Sequence, residues 1–202
     1  MNKSLLPLFP LNVVLFPGGL LPLRIFEPRY LDMVTNCVKT GATFGVVSVD
    51  ANAESVEAGN ELEFSTVGTM ARIISFDVVQ TGLMLISCVG QSRFRVSSAS
   101  QQQDGLWIGQ IDPVADDVPL ALPSDLQFTS GSLQNLITAL EKQGVSQAEM
   151  PLLKPYHFDD CGWVANRWCE LLNIPLKQKQ TLLELDSPLV RLELVNDMIS
   201  MG

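Results

Sequence analysis

Residues 6–30 read LPLFPLNVVLFPGGLLPLRIFEPRY, a run of Leu, Val and Phe interrupted by Pro7, Pro10, Pro17, Pro22 and Pro28. Prolines at this density exclude a helix, because each lacks a donor and clashes with the preceding turn. The segment is therefore expected to run extended. A sharp reversal falls at Pro17-Gly18-Gly19, where proline presets φ and glycine accepts a positive one. A helix then opens at Pro28, a residue suited to the first helical position. Tyr30, Leu31, Val34, Cys37 and Val38 recur at helical spacing, and Gly41 stands where a left-handed cap belongs. Arg24, Glu27 and Arg29 are the charges of this stretch, and their expected role is structural: ion pairs or backbone hydrogen bonds that lock the strand to the helix.

Alternating β-branched residues continue to about residue 118. Strands are predicted over 20–26, 43–49, 66–79, 83–89, 92–98 and 107–111, with hairpin turns at Thr81-Gly82 and Asp104-Gly105. Neighbours joined this tightly suggest a closed or partly closed barrel. Residues 112–123, DPVADDVPLALP, are acidic and proline-spaced, and predict a solvated linker. Beyond it the period becomes helical. Ser124 and Gln127 form a candidate capping box ahead of the stripe Leu133, Leu136, Ile137 and Leu140. Further helices are expected over 160–172, over 175–185 and from Pro188 onward, the last capped by Ser187. The fold class is α+β: a β-rich subdomain with one helix (1–118) followed by a helical bundle (119–202).

With 47% of 202 residues hydrophobic and 17% charged, the chain can bury a substantial core. A net charge of −9 repels phosphate backbones and anionic membrane surfaces, so neither nucleic acid nor membrane is an expected partner. No apolar run reaches the ~18 residues of a spanning helix, and the prolines near the start break up any signal-peptide core. Cys37, Cys88, Cys161 and Cys169 contain no C-x-x-C pair, so free buried thiols in a reducing cytoplasm are expected.

Chemistry-bearing motifs are sparse. The chain has no phosphate loop, no dinucleotide fingerprint, no nucleophile elbow and a single histidine. His157, Asp159, Asp160 and Cys161 cluster in KPYHFDDCGW, but zinc sites draw on paired cysteines or histidines. The expectation is that an aspartate caps the next helix, Cys161 and Trp163 pack, and no metal or cofactor is held. Arg93 and Arg95 flank Phe94, and strand alternation places Phe94 inward and both arginines on the wet face. Asp116-Asp117 reads as a solvated linker pair, and no residue is assigned a catalytic role.

The opening stretch, followed in order by FGVVSV (44–49), VGTMARIISF (67–76), LMLISCVGQSRFRV (83–96) and KQTLLELDSPLVRLELV (179–195), resembles the N-terminal domain of Lon proteases. It is closer still to stand-alone bacterial proteins made of that domain. The resemblance implies a PUA-like β-barrel followed by a helical bundle. It also implies a platform for unfolded or damaged polypeptides, or an adaptor in protein quality control, without the ATPase and Ser-Lys protease of full-length enzymes. A protease or chaperone is the implied further partner. The alternative is a small-molecule binder or an unrecognised hydrolase using the barrel cleft. Prolines keep the corners at 16–19 and 26–30 out of the sheet ladder, so Phe16, Pro17, Phe26 and Tyr30 are the candidate polypeptide contacts. The competing reading makes the aromatic three core residues.

Overall fold

The structure is a computed structural model that describes residues 4–49, 64–146 and 149–200. Its strands are β1 (Ser4–Leu11), β2 (Leu20–Ile25), β3 (Phe44–Ser48), β4 (Val67–Gln80), β5 (Leu83–Gln101) and β6 (Trp107–Pro113), with α1 (Pro28–Thr40) between β2 and β3. The sheet order is β2-β5-β4-β3-β1-β6, and a further β5–β6 pairing closes β5-β4-β3-β1-β6 into a circuit. All pairings are antiparallel except β1 with β3. The 19-residue β5 makes closure possible: its first half pairs with β2 and its second half with β6 along the same edge. Sequence spacing predicts two strands here, at 83–89 and 92–98. They are one, because Gly90 lets the chain continue where a Cβ would strike the Phe16 carbonyl oxygen.

β1 carries Pro7 and Pro10 in the middle of the sheet, normally a forbidden place for them. The pairings are staggered to permit it. β6 accompanies β1 only from Ser4 to Leu8 and β3 only from Leu8 to Leu11, so each proline has a paired strand on one side alone. Gly41 caps α1 at φ 72°, and Gly18, Gly82 and Gly105 take the positive φ that their turns require.

The helices are α2 (Gln127–Lys142), α3 (Cys161–Leu171), α4 (Leu176–Glu184) and α5 (Pro188–Ser200). Asp160 caps α3 by accepting from the Trp163 N–H at 2.7 Å, and Ser187 Oγ accepts from Val190 N–H at 3.3 Å. The Ser124/Gln127 capping box does not form. A 3₁₀ turn over Ser124–Leu126 precedes α2, and Gln127 donates instead to the Leu122 carbonyl.

Helices and barrel share a core in which Phe16 and Val67 meet Cys169, Leu182, Leu183 and Val195. Polar contacts reinforce it. Arg167 donates to the Gly18 and Pro17 carbonyls at 2.5 and 2.7 Å, and Gln180 Nε2 donates to the Val67 carbonyl at 3.0 Å. All four cysteines are buried free thiols.

Two expectations are corrected at this interface. Arg93 does not lie on the wet face: it is 3% exposed and donates to the Leu183 and Leu185 carbonyls at the C-terminal end of α4, at 2.8 and 2.7 Å. The α4–α5 corner covers the outside of β5 at this point, so both faces of the strand are buried. Arg95 does face solvent. Asp117 is not a solvated linker residue either. Its carboxylate joins Arg93 at 3.2 Å and Arg191 at 2.5 Å, with Arg191 only 1% exposed.

Removing Asp117 leaves two buried guanidiniums without their counter-charge, so Asp117→Ala should cost about 3–5 kcal/mol in urea unfolding. A loss below about 1 kcal/mol would contradict this role.

Glu170 pairs with Arg167 at 2.9 Å, yet burial pushes its carboxyl up to about 8 against the pull of Arg167 and Lys179. A folded-state value above the unfolded one means that the native state favours the protonated acid. The contribution is intact below about 4.5 and is lost as pH rises through about 8. Glu170→Gln should therefore gain on the wild type in stability as pH is raised across that window. Thermal midpoints of the two proteins measured at several pH values check this.

Candidate functional site

A groove of about 940 Å³ opens at one mouth of the barrel. Four strand ends and the start of α1 converge on it: Phe9 to Leu11 from β1, Leu23 to Ile25 from β2, Ala99 to Gln101 from β5, and Trp107 from β6. Its floor is aromatic. Phe9 stacks on Tyr30 with centroids 4.0 Å apart, and both belong to the barrel core. Phe26 stands at the rim with 65% of its surface exposed, on the corner between β2 and α1.

The corner is held by charge. Arg29 pairs with Glu27 at 2.6 Å, donates to the Gly105 carbonyl at 2.9 Å, and lies over the Tyr30 ring at 4.8 Å. It thereby ties the start of α1 to the β5–β6 turn, where a Cβ on Gly105 would meet the guanidinium at 2.6 Å. Burial pushes the Tyr30 hydroxyl up, opposed by Arg29 and aided by Glu27. Arg24 lines the groove and is exposed, and it makes no ion pair with any described residue.

The groove thus brings together Arg24, Phe26, Glu27, Arg29 and Tyr30 of the residues singled out in the sequence. Phe16 and Pro17 lie elsewhere. Phe16 is fully buried between barrel and helices, and Pro17 is held by Arg167 through its carbonyl. Phe9 and Trp107 were not anticipated as groove residues. The one local signal for Trp107 is a large aromatic two residues after the glycine of a tight hairpin turn.

The His157 cluster diverges. Asp160 caps α3, Cys161 is buried against the Ala121 carbonyl, and His157 meets the edge of Trp163 at 6.2 Å. Among the described residues, no three His, Cys, Asp or Glu side chains come together to hold a metal ion.

An open groove with an aromatic floor, whose Glu27 and Arg29 are occupied in holding its own walls, offers a surface suited to binding. Residues 5–201 match the family model described as the ATP-dependent protease La (LON) substrate-binding domain, and the chain belongs to that family. The crystal structure of a Lon N-terminal domain protein from Xanthomonas campestris is similar with a TM-score of 0.75 and 30% identity, covering 96% of this chain and 98% of that one. The Lon protease of Cytophaga hutchinsonii is 26% identical over 189 residues, 93% of this chain but only 23% of that protein. Protein cereblon of Danio rerio is 34% identical over 105 residues, covering 50% of this chain and 23% of that protein. The chain thus spans about a quarter of the length of these curated relatives.

The two phenylalanines should separate cleanly in stability. Phe16→Ser should cost at least the ~3–5 kcal/mol of a buried Phe truncation, whereas Phe26→Ser should stay within about 0.5 kcal/mol of the wild type in chemical denaturation.

Proposed function

We propose that this chain is a non-catalytic polypeptide-binding module whose groove beside Phe26 receives extended, apolar segments of unfolded or partly folded proteins. The observation that carries the reading is Phe26 itself: a large aromatic left in water at the rim of an aromatic-floored groove, on a corner fixed by the Glu27–Arg29 pair. A client side chain entering the groove covers Phe26 and packs on Tyr30 and Trp107. The exposed Arg24 adds attraction for acidic residues flanking such a segment. In this reading residues 1–118 carry the groove and residues 119–202 brace the barrel from outside. Family membership supports the substrate class. The setting is cytoplasmic protein quality control, with a protease or chaperone receiving the bound chain.

The test is fluorescence anisotropy with a labelled, permanently unfolded polypeptide. Phe26→Asp should weaken binding about tenfold or more, in line with an interface hot spot, and leave the melting midpoint unchanged. Unaltered affinity in the folded variant refutes the groove assignment. The same preparation should neither hydrolyse ATP nor cleave casein, and turnover abolished by a point mutation would overturn the non-catalytic reading.

A further inference from the structure

Beyond Ala71 the outer edge of β4 pairs with no described strand, since β3 reaches only Thr69 to Ala71. A free edge is an open row of backbone donors and acceptors that proteins ordinarily blunt with proline or charge. The outer edge of β2 is blunted in this way, by Pro22 and Arg24. The β4 edge, RIISFDVVQ over 72–80, has no proline; it carries one charge of each sign, Arg72 and Asp77, and exposes Ile74, Phe76, Val78 and Val79 at 41–56% of their surface.

The geometry points to a second copy of this chain as the occupant of that edge, paired β4 to β4 about a two-fold axis through Ser75. The register follows from a bulge. Ile73 faces Cys88 and Ser75 faces Ser87, so Ile74 is an extra residue on β4. Arg72, Ser75 and Asp77 consequently share one face, opposite Val89, Ser87 and Leu85, while Ile73 and Phe76 share the face of the core residues Cys88 and Ile86. Directly opposed residues in an antiparallel pair lie on the same face.

With Ile74 left out of this ladder as it is left out of the one with β5, centring the pair on Ser75 meets this rule from Arg72 to Asp77. Ser75 meets its own copy, Ile73 meets Phe76 of the second copy, and Arg72 meets Asp77 of the second copy, each contact occurring twice. Without the bulge Arg72 and Asp77 would lie on opposite faces and could not pair. Both are exposed and form no ion pair with any described residue. An apolar cavity of about 320 Å³, lined by Cys37, Val38, Gly41, Ala42 and Ile73 among others, lies along this edge. It is on the α1 side of the sheet, where Phe76 of the second copy enters. The charge match, the facial match and the cavity describe one self-complementary interface.

Sedimentation equilibrium of the full chain tests this. The wild type should dimerise, Arg72→Asp and Asp77→Arg should each raise the dissociation constant about tenfold or more, and the double swap should restore it. Unchanged melting midpoints verify that these exposed substitutions leave the fold intact. Ser75→Cys should form a disulfide-linked dimer on mild oxidation, because self-opposed residues have Cα atoms about 4.5–5.5 Å apart, within disulfide reach. Leu85→Cys, on the same face but one strand in, should not. A monomer at every attainable concentration, or a dimer that both single reversals leave intact, overturns the inference. So does a β-strand peptide that occupies the β4 edge of a chain that stays monomeric, which would assign the edge to clients.

Discussion

The carboxylate of Asp117 sits between two buried guanidiniums, one from the barrel and one from the helices, and joins the two halves of the chain by charge. Arg93 comes from the middle of the longest strand and Arg191 from the last helix, and Asp117 lies in the segment that connects the two halves of the chain. Each arginine would be costly in this place alone, since burial removes its hydration. Four partners compensate for each. The carboxylate supplies charge, and carbonyls at the C-terminal end of α4 supply acceptors, Leu182 and Leu185 for Arg191 and Leu183 and Leu185 for Arg93; Asn166 Oδ1 completes the set for Arg191 and the Ala115 carbonyl for Arg93. The same guanidiniums therefore terminate a helix, anchor a strand and fix the path of the connecting segment.

A second clamp on the same interface is Arg167 on the Pro17-Gly18 carbonyls. Together the clamps explain why Phe16 is in the core while Phe26, ten residues later in a similar apolar context, is not. The turn carrying Phe16 is drawn under α3 and α4. The corner carrying Phe26 is tied instead to the β5–β6 turn, through Arg29 on the Gly105 carbonyl. The wall of the groove is held by the Glu27–Arg29 pair, and Phe26 at its rim is left exposed.

The local grammar of the chain was legible to the extent that its causes are local. Pro28 and Gly41 delimit α1 because one fits a first turn and the other a left-handed cap, and the turns at Gly18, Gly82 and Gly105 follow from positive φ. Asp160 and Ser187 cap as side-chain oxygens at those positions do. Arg93 was misplaced because alternation assumes that one strand face is wet, whereas its covering layer comes from residues about ninety positions later. Asp117 was misread for the same reason, having no local sign of the arginines it would meet. Within the groove, Glu27, Arg29 and Tyr30 were visible as neighbours in sequence. Phe9 and Trp107 join them only through barrel closure, which no short window contains.

The stagger that admits Pro7 and Pro10 into β1 has a consequence for the order in which the chain takes shape. β1 is the earliest strand described, yet its two neighbours are β3 and β6, and Leu6 finds its opposite number only at Gly109. During synthesis it must wait through about a hundred residues before its second edge is covered, a separation that slows folding and leaves a nascent apolar strand open to wrong partners.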